Sequence, residues 1–239
     1  MRKKILECIK TVPLFGLAYV PIAQALTDDM GGTWSSLTLS GSLHAVSANL
    51  ADVRWLLMEQ ARTRDDNPEG MRLAENLAFA QIGYGLNQHA SVWLGYVHDW
   101  GHPLGKASYQ ESRPYQDFLW NSSADAWRFT SRTRLEERVR QDSGELGIRL
   151  RQLVQVSYPL AWIDDKLSVY AGDETLWYLN GNDYGRSGFS ENRALGGVSY
   201  QFDKALGADL GYLGQYVYSL PGLDNVFTHN VQFNLRYQF

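Results

Sequence analysis

HNVQFNLRYQF, residues 229–239, is the stretch on which the fold turns. Its odd positions read His229, Val231, Phe233, Leu235, Tyr237 and Phe239; its even positions read Asn230, Gln232, Asn234, Arg236 and Gln238. Successive side chains of a strand point to opposite faces, so this alternation predicts a strand with one apolar and one polar side. The same period runs upstream. Leu206, Ala208, Leu210, Tyr212, Tyr216 and Tyr218 share a face opposite Asp209, Gly211 and Gln215. Ala194, Gly196, Val198, Tyr200 and Phe202 oppose Arg193, Ser199, Gln201 and Asp203, and Asp203-Lys204-Ala205 supplies a tight turn between the two segments.

The middle of the chain says which face is which. Arg128, Arg132, Arg134, Glu136, Arg138 and Arg140 fall on even positions of one segment, with Trp127, Phe129, Leu135 and Val139 on the other face and Glu137 breaking it near one end. The next segment sets Glu145, Arg149 and Arg151 against Leu146, Ile148, Leu150, Val154 and Val156. An arginine or lysine facing the middle of a bilayer costs roughly 2–4 kcal/mol, so a row of them has to face inward while the apolar face meets lipid. A soluble lipocalin-like barrel would have the opposite polarity. The expected fold is therefore all-β, a transmembrane antiparallel up-and-down barrel.

Further strands are expected near 33–43, 50–62, 72–86, 90–100 and 112–121, with Trp34, Val53, Trp55, Leu57, Val92, Leu94 and Tyr96 pointing outward. Asn76 and Gln81 fall on opposite faces, which suggests a bulge between them. The segments add up to eleven, whereas bacterial single-chain barrels have even strand numbers. About twelve strands are therefore expected, with ten as the alternative if 33–43 is not part of the wall. The connections Asn87-Gln88-His89 and Asp203-Lys204 are short; 63–70, 101–111, 180–188 and 219–227 are longer, as inner turns and outer loops of such a barrel would be.

The start of the chain reads as an export address. Arg2, Lys3, Lys4 and Lys10 precede an apolar stretch from Val12 to Ile22, and Ala23-Gln24-Ala25 offers small residues for cleavage. Pro13, Gly16 and Pro21 interrupt that stretch, and it falls short of the ~20 apolar residues of a spanning helix. Residues 1–25 are read as a signal peptide cut after Ala25, and 26–239 as one barrel domain of the bacterial outer membrane. Removing 1–25 takes four of the 22 basic residues and one of the 26 acidic ones, leaving a net charge of −7. So acidic a chain is a poor partner for nucleic acid. The single cysteine, Cys8, leaves with the signal, and with it any disulfide or thiolate metal site.

Taken together, several motifs resemble a family known only as a domain of unknown function, number 2490 of its series. The likeness covers most of the chain after the signal. It rests on Trp34, on Glu111-Ser112-Arg113 with Gln116, and on the run Arg132-Thr133-Arg134-Leu135-Glu136-Glu137-Arg138. It continues through Arg149-Leu150-Arg151, Asp173-Glu174, Asn192-Arg193, Gly196-Gly197, and Gly211-Tyr212 with Gln215. The segment Val53-Arg54-Trp55-Leu56 departs from it by being more apolar. The resemblance implies an outer-membrane barrel and supplies no activity. Tyr237 and Phe239 likewise resemble the terminal aromatic signal that such barrels present to their assembly machinery.

The residues that could carry function are the lumen charges: Arg128, Arg132, Arg134, Glu136, Arg138, Arg149, Arg151, Glu174, Glu191, Arg193 and Arg236. They either fill the lumen as cross-strand pairs or form a pathway or binding site for small acidic solutes. Arginines outnumber acids in this set, an excess that a purely neutralised plug would not require. A weaker candidate is His98-Asp99-Trp100-Gly101-His102 at a strand end, where His98 or His102 could serve an outer-leaflet hydrolase with Ser108, Glu111 or His229 as partner. Neighbouring His98 and Asp99 point to opposite faces of a strand and make no dyad on their own. The clusters Asp65-Asp66-Asn67-Glu69 and Asn180, Asn182, Asp183 read as turn formers rather than a Ca²⁺ site. No cofactor or metal is expected. The expected partners are outer-membrane lipids, the assembly machinery and acidic solutes; a lipid- or polymer-processing enzyme and a sealed structural barrel are the alternatives.

Overall fold

Eleven strands close into a barrel in the computed structural model, which describes residues 27–65, 69–103, 105–219 and 225–239. In chain order they are β1 (Thr27–Ser42), β2 (Val53–Asp65), β3 (Met71–Gly85), β4 (Ala90–Gly101), β5 (Tyr109–Ala124) and β6 (Trp127–Arg140). β7 (Leu146–Pro159), β8 (Leu167–Tyr178), β9 (Gly188–Gln201), β10 (Leu206–Val217) and β11 (Asn225–Gln238) follow. Every sequential pair is antiparallel, and the barrel closes where β1 runs parallel to β11, from Thr27 beside Asn225 to Ser40 beside Gln238. The expectation of twelve strands, or ten, is thus corrected to eleven. An odd meander brings its last strand home in the direction of its first, and a parallel ladder closes the gap with evenly spaced, slanted hydrogen bonds. Residues 33–43 lie mostly within β1, which is part of the wall. The signal-peptide reading, with Ala23 and Ala25, lies outside the described residues.

Polarity is inverted relative to a water-soluble barrel. Outward-facing Leu94, Val154, Leu210 and Val231 are 55–63% exposed, while inward-facing Asp99 and Glu111 are 0% exposed. A small apolar cluster lies on the inner face of β3–β5, built on Leu77, Val97 and Tyr115 with Phe79 against them. Tyr115 lies flat there because its neighbour is glycine: a Cβ on Gly95 would sit 2.2 Å from the Tyr115 ring. The sector at β6–β9 is filled by charge.

Two expectations for the first strands change. Trp34 points inward, with Arg62 stacked 3.7 Å above its ring, because Gly32, Trp34 and Ser36 share the lumen face while Leu37 faces out. The irregularity in β3 comes before Asn76, where Arg62 pairs with Glu75 and Thr63 with Leu73, so that Ala74 is the extra residue. From Glu75 onward the alternation is regular, and Ile82 and Tyr84 are exposed.

The connections sort by end. The connecting residues 69–70, 102–103, 105–108, 141–145, 179–187 and 218–219 lie at one end, the loop end; 43–52, 86–89, 125–126, 160–166, 202–205 and Phe239 lie at the other, the turn end. Turn 125–126 is a two-residue hairpin with Asp125 at φ 52°, the positive value such turns demand. The turn end is not uniformly tight, since 43–52 carries two short 3₁₀ turns and 160–166 forms a longer excursion.

Candidate functional site

Strand register builds the charged centre. Glu136 on β6 stands directly opposite Arg149 on β7, whereas Arg134 stands opposite Arg151, a like-charge pair that would repel on its own. The diagonal neighbours relieve that repulsion. Glu136 accepts from Arg149 at 2.5 Å and from Arg151 at 2.7 Å, with Arg134 at 3.7 Å. Arg134 also donates through Nε and Nη2 to the two oxygens of Asp117, at 2.6 and 2.7 Å, a bidentate fork that fixes its plane. Glu174 on β8 gathers three arginines, Arg132 at 2.6 Å, Arg151 at 2.7 Å and Arg193 at 3.0 Å.

A chain of polar groups extends from Arg193. Arg193 donates to Glu191 at 2.5 Å, Gln215 donates to the same carboxylate at 2.6 Å, and Thr228 donates to Gln215 at 3.0 Å. Nearer the loop end, Arg138 donates to Glu111 through Nε at 2.7 Å and to the Tyr178 hydroxyl at 2.5 Å. Arg113 pairs with both Glu111 and Asp99. Arg62 pairs with Glu75 at 2.6 Å. Tyr184, from segment 179–187, covers Arg138 with its ring 3.9 Å from the guanidinium. Burial, reinforced by the Glu111 carboxylate, pushes the Tyr184 phenol above its ordinary value and keeps it neutral.

Nine of the eleven expected lumen residues, Arg132, Arg134, Glu136, Arg138, Arg149, Arg151, Glu174, Glu191 and Arg193, fall within these ion pairs. Arg128 and Arg236 do not. They line a separate hollow of about 680 Å³ at the turn end, where Arg236 meets Asp209 at 2.9 Å and Arg128 is exposed. A second hollow of about 230 Å³ opens at the loop end, lined by Arg62, Arg64, Arg149 and Arg193 among others. The two share no residue. Along β8 the order is Ser168 and Tyr170 in the first hollow, Glu174 in the ion pairs, and Tyr178 in the second.

Four acids outside the expected lumen set complete the arrangement: Glu75, Asp99, Glu111 and Asp117. Among the described residues, the inner ion pairs join eight arginines to seven carboxylates. The apparent excess of arginine over acid therefore shrinks to one. The signal was present in β5, where Glu111, Arg113, Tyr115 and Asp117 alternate with Ser112, Pro114 and Gln116.

The histidines lie elsewhere. His98 points outward from β4, its Nε2 at 3.1 Å from Gln110 Oε1, its Nδ1 at 3.3 Å from the Tyr96 hydroxyl and its ring edge-on to Trp100. Ser112 reaches the Tyr96 hydroxyl at 2.8 Å. His102 Nδ1 lies 2.8 Å from Ser108 Oγ, so one expected partner is in place. Glu111 is turned into the lumen and held by Arg113 and Arg138, and His229 pairs with Tyr212 across β10 and β11. Asn180 and Asn182 hold the loop backbone: Asn180 Oδ1 accepts from Ile148 N, and Asn182 Oδ1 from Tyr184 N. Among the described residues no group of three His, Cys, Asp or Glu is placed to hold a metal ion.

Comparison with known proteins gives a family and one relative. The model of the family described as "Protein of unknown function (DUF2490)" matches residues 31–226. An uncharacterized protein of Methylorubrum extorquens is 26% identical over 187 residues, covering 77% of this chain and 78% of that protein. No solved structure matches.

Proposed function

We propose, from the premise that the chain belongs to the DUF2490 family of proteins of unknown function, that it is an exported outer-membrane β-barrel, sealed across its lumen by ion pairs, whose loop-end hollow binds small acidic solutes without conducting them. The observation that carries this reading is the inverted polarity, with carboxylates and guanidinium groups buried inside and large apolar side chains exposed outside. Lipid accepts such an exterior, and a closed sheet leaves no unpaired edge within it. Aromatic pairs lie towards both ends of the outer wall: Trp127 with Tyr158 and Trp55 with Phe239 at the turn end, His98 with Trp100 and Phe227 with His229 at the loop end. Outward polar groups pair among themselves, as Thr133 does with Gln152, Gln152 with Ser131, and Asn192 with Asp173. Terminal Tyr237 and Phe239 sit at the turn end, which on this reading faces the periplasm.

Sealing follows from the pairing. A conducting anion path needs arginine heads free to meet the ion, and here the central heads are held by carboxylates at 2.5–3.0 Å. The loop-end hollow is different. Arg64 lines it with no ion-pair partner among the described residues, next to a network that already carries one arginine more than it has acids. A carboxylate or phosphate oxygen would neutralise that excess through charge-assisted hydrogen bonds.

Export is tested on the cellular protein. It should begin at Leu26 and fractionate with the outer membrane; recovery of Met1, or of soluble periplasmic material, would defeat this part of the proposal. The refolded barrel should show no steady conductance in a planar bilayer, while titration with glucuronate at low salt should saturate and weaken in Arg64→Gln. A stable anion-selective current would replace the sealed barrel with a channel. Absence of glucuronate binding in the wild type, or equal binding in Arg64→Gln, would remove the acidic-solute reading.

A further inference from the structure

We propose that the turn-end hollow is a separate binding site for a short, essentially uncharged oligosaccharide. The hollow comes from the sequence. Where β8, β9 and β10 carry Glu174, Arg193 and Gln215 in the filled part of the lumen, their inward positions nearer the turn end include the shorter Ser168, Ser199 and Asp209, which line the hollow. About 680 Å³ is left open, within the ~300–1,000 Å³ of small-molecule sites. It is a blind cup, because the ion pairs of Arg132 and Arg151 with Glu174 lie beyond its inner end.

The lining chemistry selects the ligand. In the ion-pair centre the charged heads meet one another. In the cup, by contrast, the side chains of Gln155, Gln232, Ser157, Ser168 and Arg128 make no hydrogen bond to any described residue. They come from β6, β7, β8 and β11, so free donors and acceptors converge from several sides of one hollow. Asn234 uses only its Oδ1, towards Ser36 at 2.7 Å. An amide both donates and accepts, which matches adjacent hydroxyls of a sugar better than it matches an anion. Leu195 and Tyr170 add apolar surface for the C–H face of a ring.

Charge points the same way. The lining sets Arg128, Lys166 and Arg236 against Asp165 and Asp209, with Arg236 and Asp209 paired at 2.9 Å, so the cup carries a net charge of +1 and can neutralise one acidic group at most. The excursion 160–166 shapes the mouth. Leu160 N bonds to Leu167 O at 2.8 Å and Lys166 N to Asp164 Oδ1 at 2.9 Å, and this holds Asp165 and Lys166 at the lining. A two-residue turn like 125–126 would have left that side bare.

The test uses the refolded barrel in an amine-oxide detergent, since sugar-headed detergents would occupy the cup. Calorimetric titration is run with maltotetraose and chitotetraose as neutral probes and trigalacturonate as the acidic one. At least one neutral probe should bind saturably. Its affinity should fall tenfold or more, about 1.4 kcal/mol, in Gln155→Leu/Gln232→Leu and in Ser157→Phe, which narrows the hollow without touching the amides. Arg64→Gln should leave it unchanged, so that a failure of the loop-end site is told apart from a failure of this one. Unchanged heat-dependent gel mobility shows that the variants are folded. Absence of binding by both neutral probes would overturn the proposal. So would binding that survives both cup variants, or binding of trigalacturonate alone that disappears in Arg64→Gln.

Discussion

Glu136→Ala is expected to destabilise the barrel by roughly 3–5 kcal/mol, the range seen when one partner of a buried ion pair is removed. Glu136 is 1% exposed and accepts from Arg149 and Arg151 at 2.5–2.8 Å, with Arg134 at 3.7 Å. Its loss leaves Arg149 without a carboxylate partner among the described residues, and returns Arg134 and Arg151 to the like-charge opposition that the register imposes. Urea unfolding of the refolded protein, followed by the mobility of unheated samples on a detergent gel, reads the effect. Two comparisons locate its cause. Glu75→Gln, at the Arg62 pair where the side chains are 12% and 29% exposed, should cost less, because the glutamine oxygen still accepts from Arg62 and only one arginine depends on it. Glu136→Gln/Arg149→Gln should cost less than the sum of the two single changes by about 1 kcal/mol or more, as contacting residues do. A Glu136→Ala variant as stable as the wild type would mean that water reaches these groups and that the lumen is not sealed.

How far the sequence reveals this arrangement depends on which residues carry the signal. Period two is set by local backbone geometry, so segments such as 229–239 announce their two faces without any tertiary information. The inward direction of the Arg134 and Arg138 face follows from the cost of placing charge in lipid, and these residues do lie inside. Strand number was legible too, since the alternating segments number eleven; the general rule of even strand counts is what pointed away from it. Closure through a parallel β1–β11 pair is a long-range choice that no local pattern encodes.

The site was harder to read because electrostatic balance is a property of the closed ring. Arginines on β6 and β7 look unneutralised along the chain, yet beyond Glu136 their acids come from β5 and β8 as Glu111, Asp117 and Glu174. Asp99 stands out in the sequence only as a neighbour of His98, although its parity turns it to the opposite face, where Arg113 meets it. Trp34 misled for a related reason. A tryptophan near a strand end suits a lipid interface, but here it sits inside against Arg62 and Arg193 at 3.7 and 5.0 Å. The turn-end cup left a positive trace, the short inward side chains Ser157, Ser168 and Ser199 near the turn ends of β7–β9, which line a hollow only when the strands are brought together.

Deleting Phe239 is expected to remove most of the assembled barrel from cells while leaving the refolded protein almost as stable as the wild type. The geometry of the chain end separates these outcomes. Phe239 is 72% exposed; its backbone N–H donates to Ser40 O at 2.9 Å, and its ring lies 5.7 Å from Trp55 and 4.9 Å from Tyr237. The ladders to β1 and β10 end at Gln238 and Tyr237, so the deletion leaves them intact. One hydrogen bond and two aromatic contacts of an exposed ring amount to about 1–3 kcal/mol, too little to prevent folding. A large loss in cells would then have to come from recognition of the terminal aromatic during assembly. Phe239→Trp should restore assembled levels and Phe239→Ala should not, with similar urea midpoints for both after refolding in vitro. Quantitative blotting of unheated outer-membrane fractions, beside those midpoints, makes the comparison. If the deletion lowered both in parallel, Phe239 would act through barrel stability alone; if it lowered neither, the likeness of this chain end to an assembly signal would carry no function.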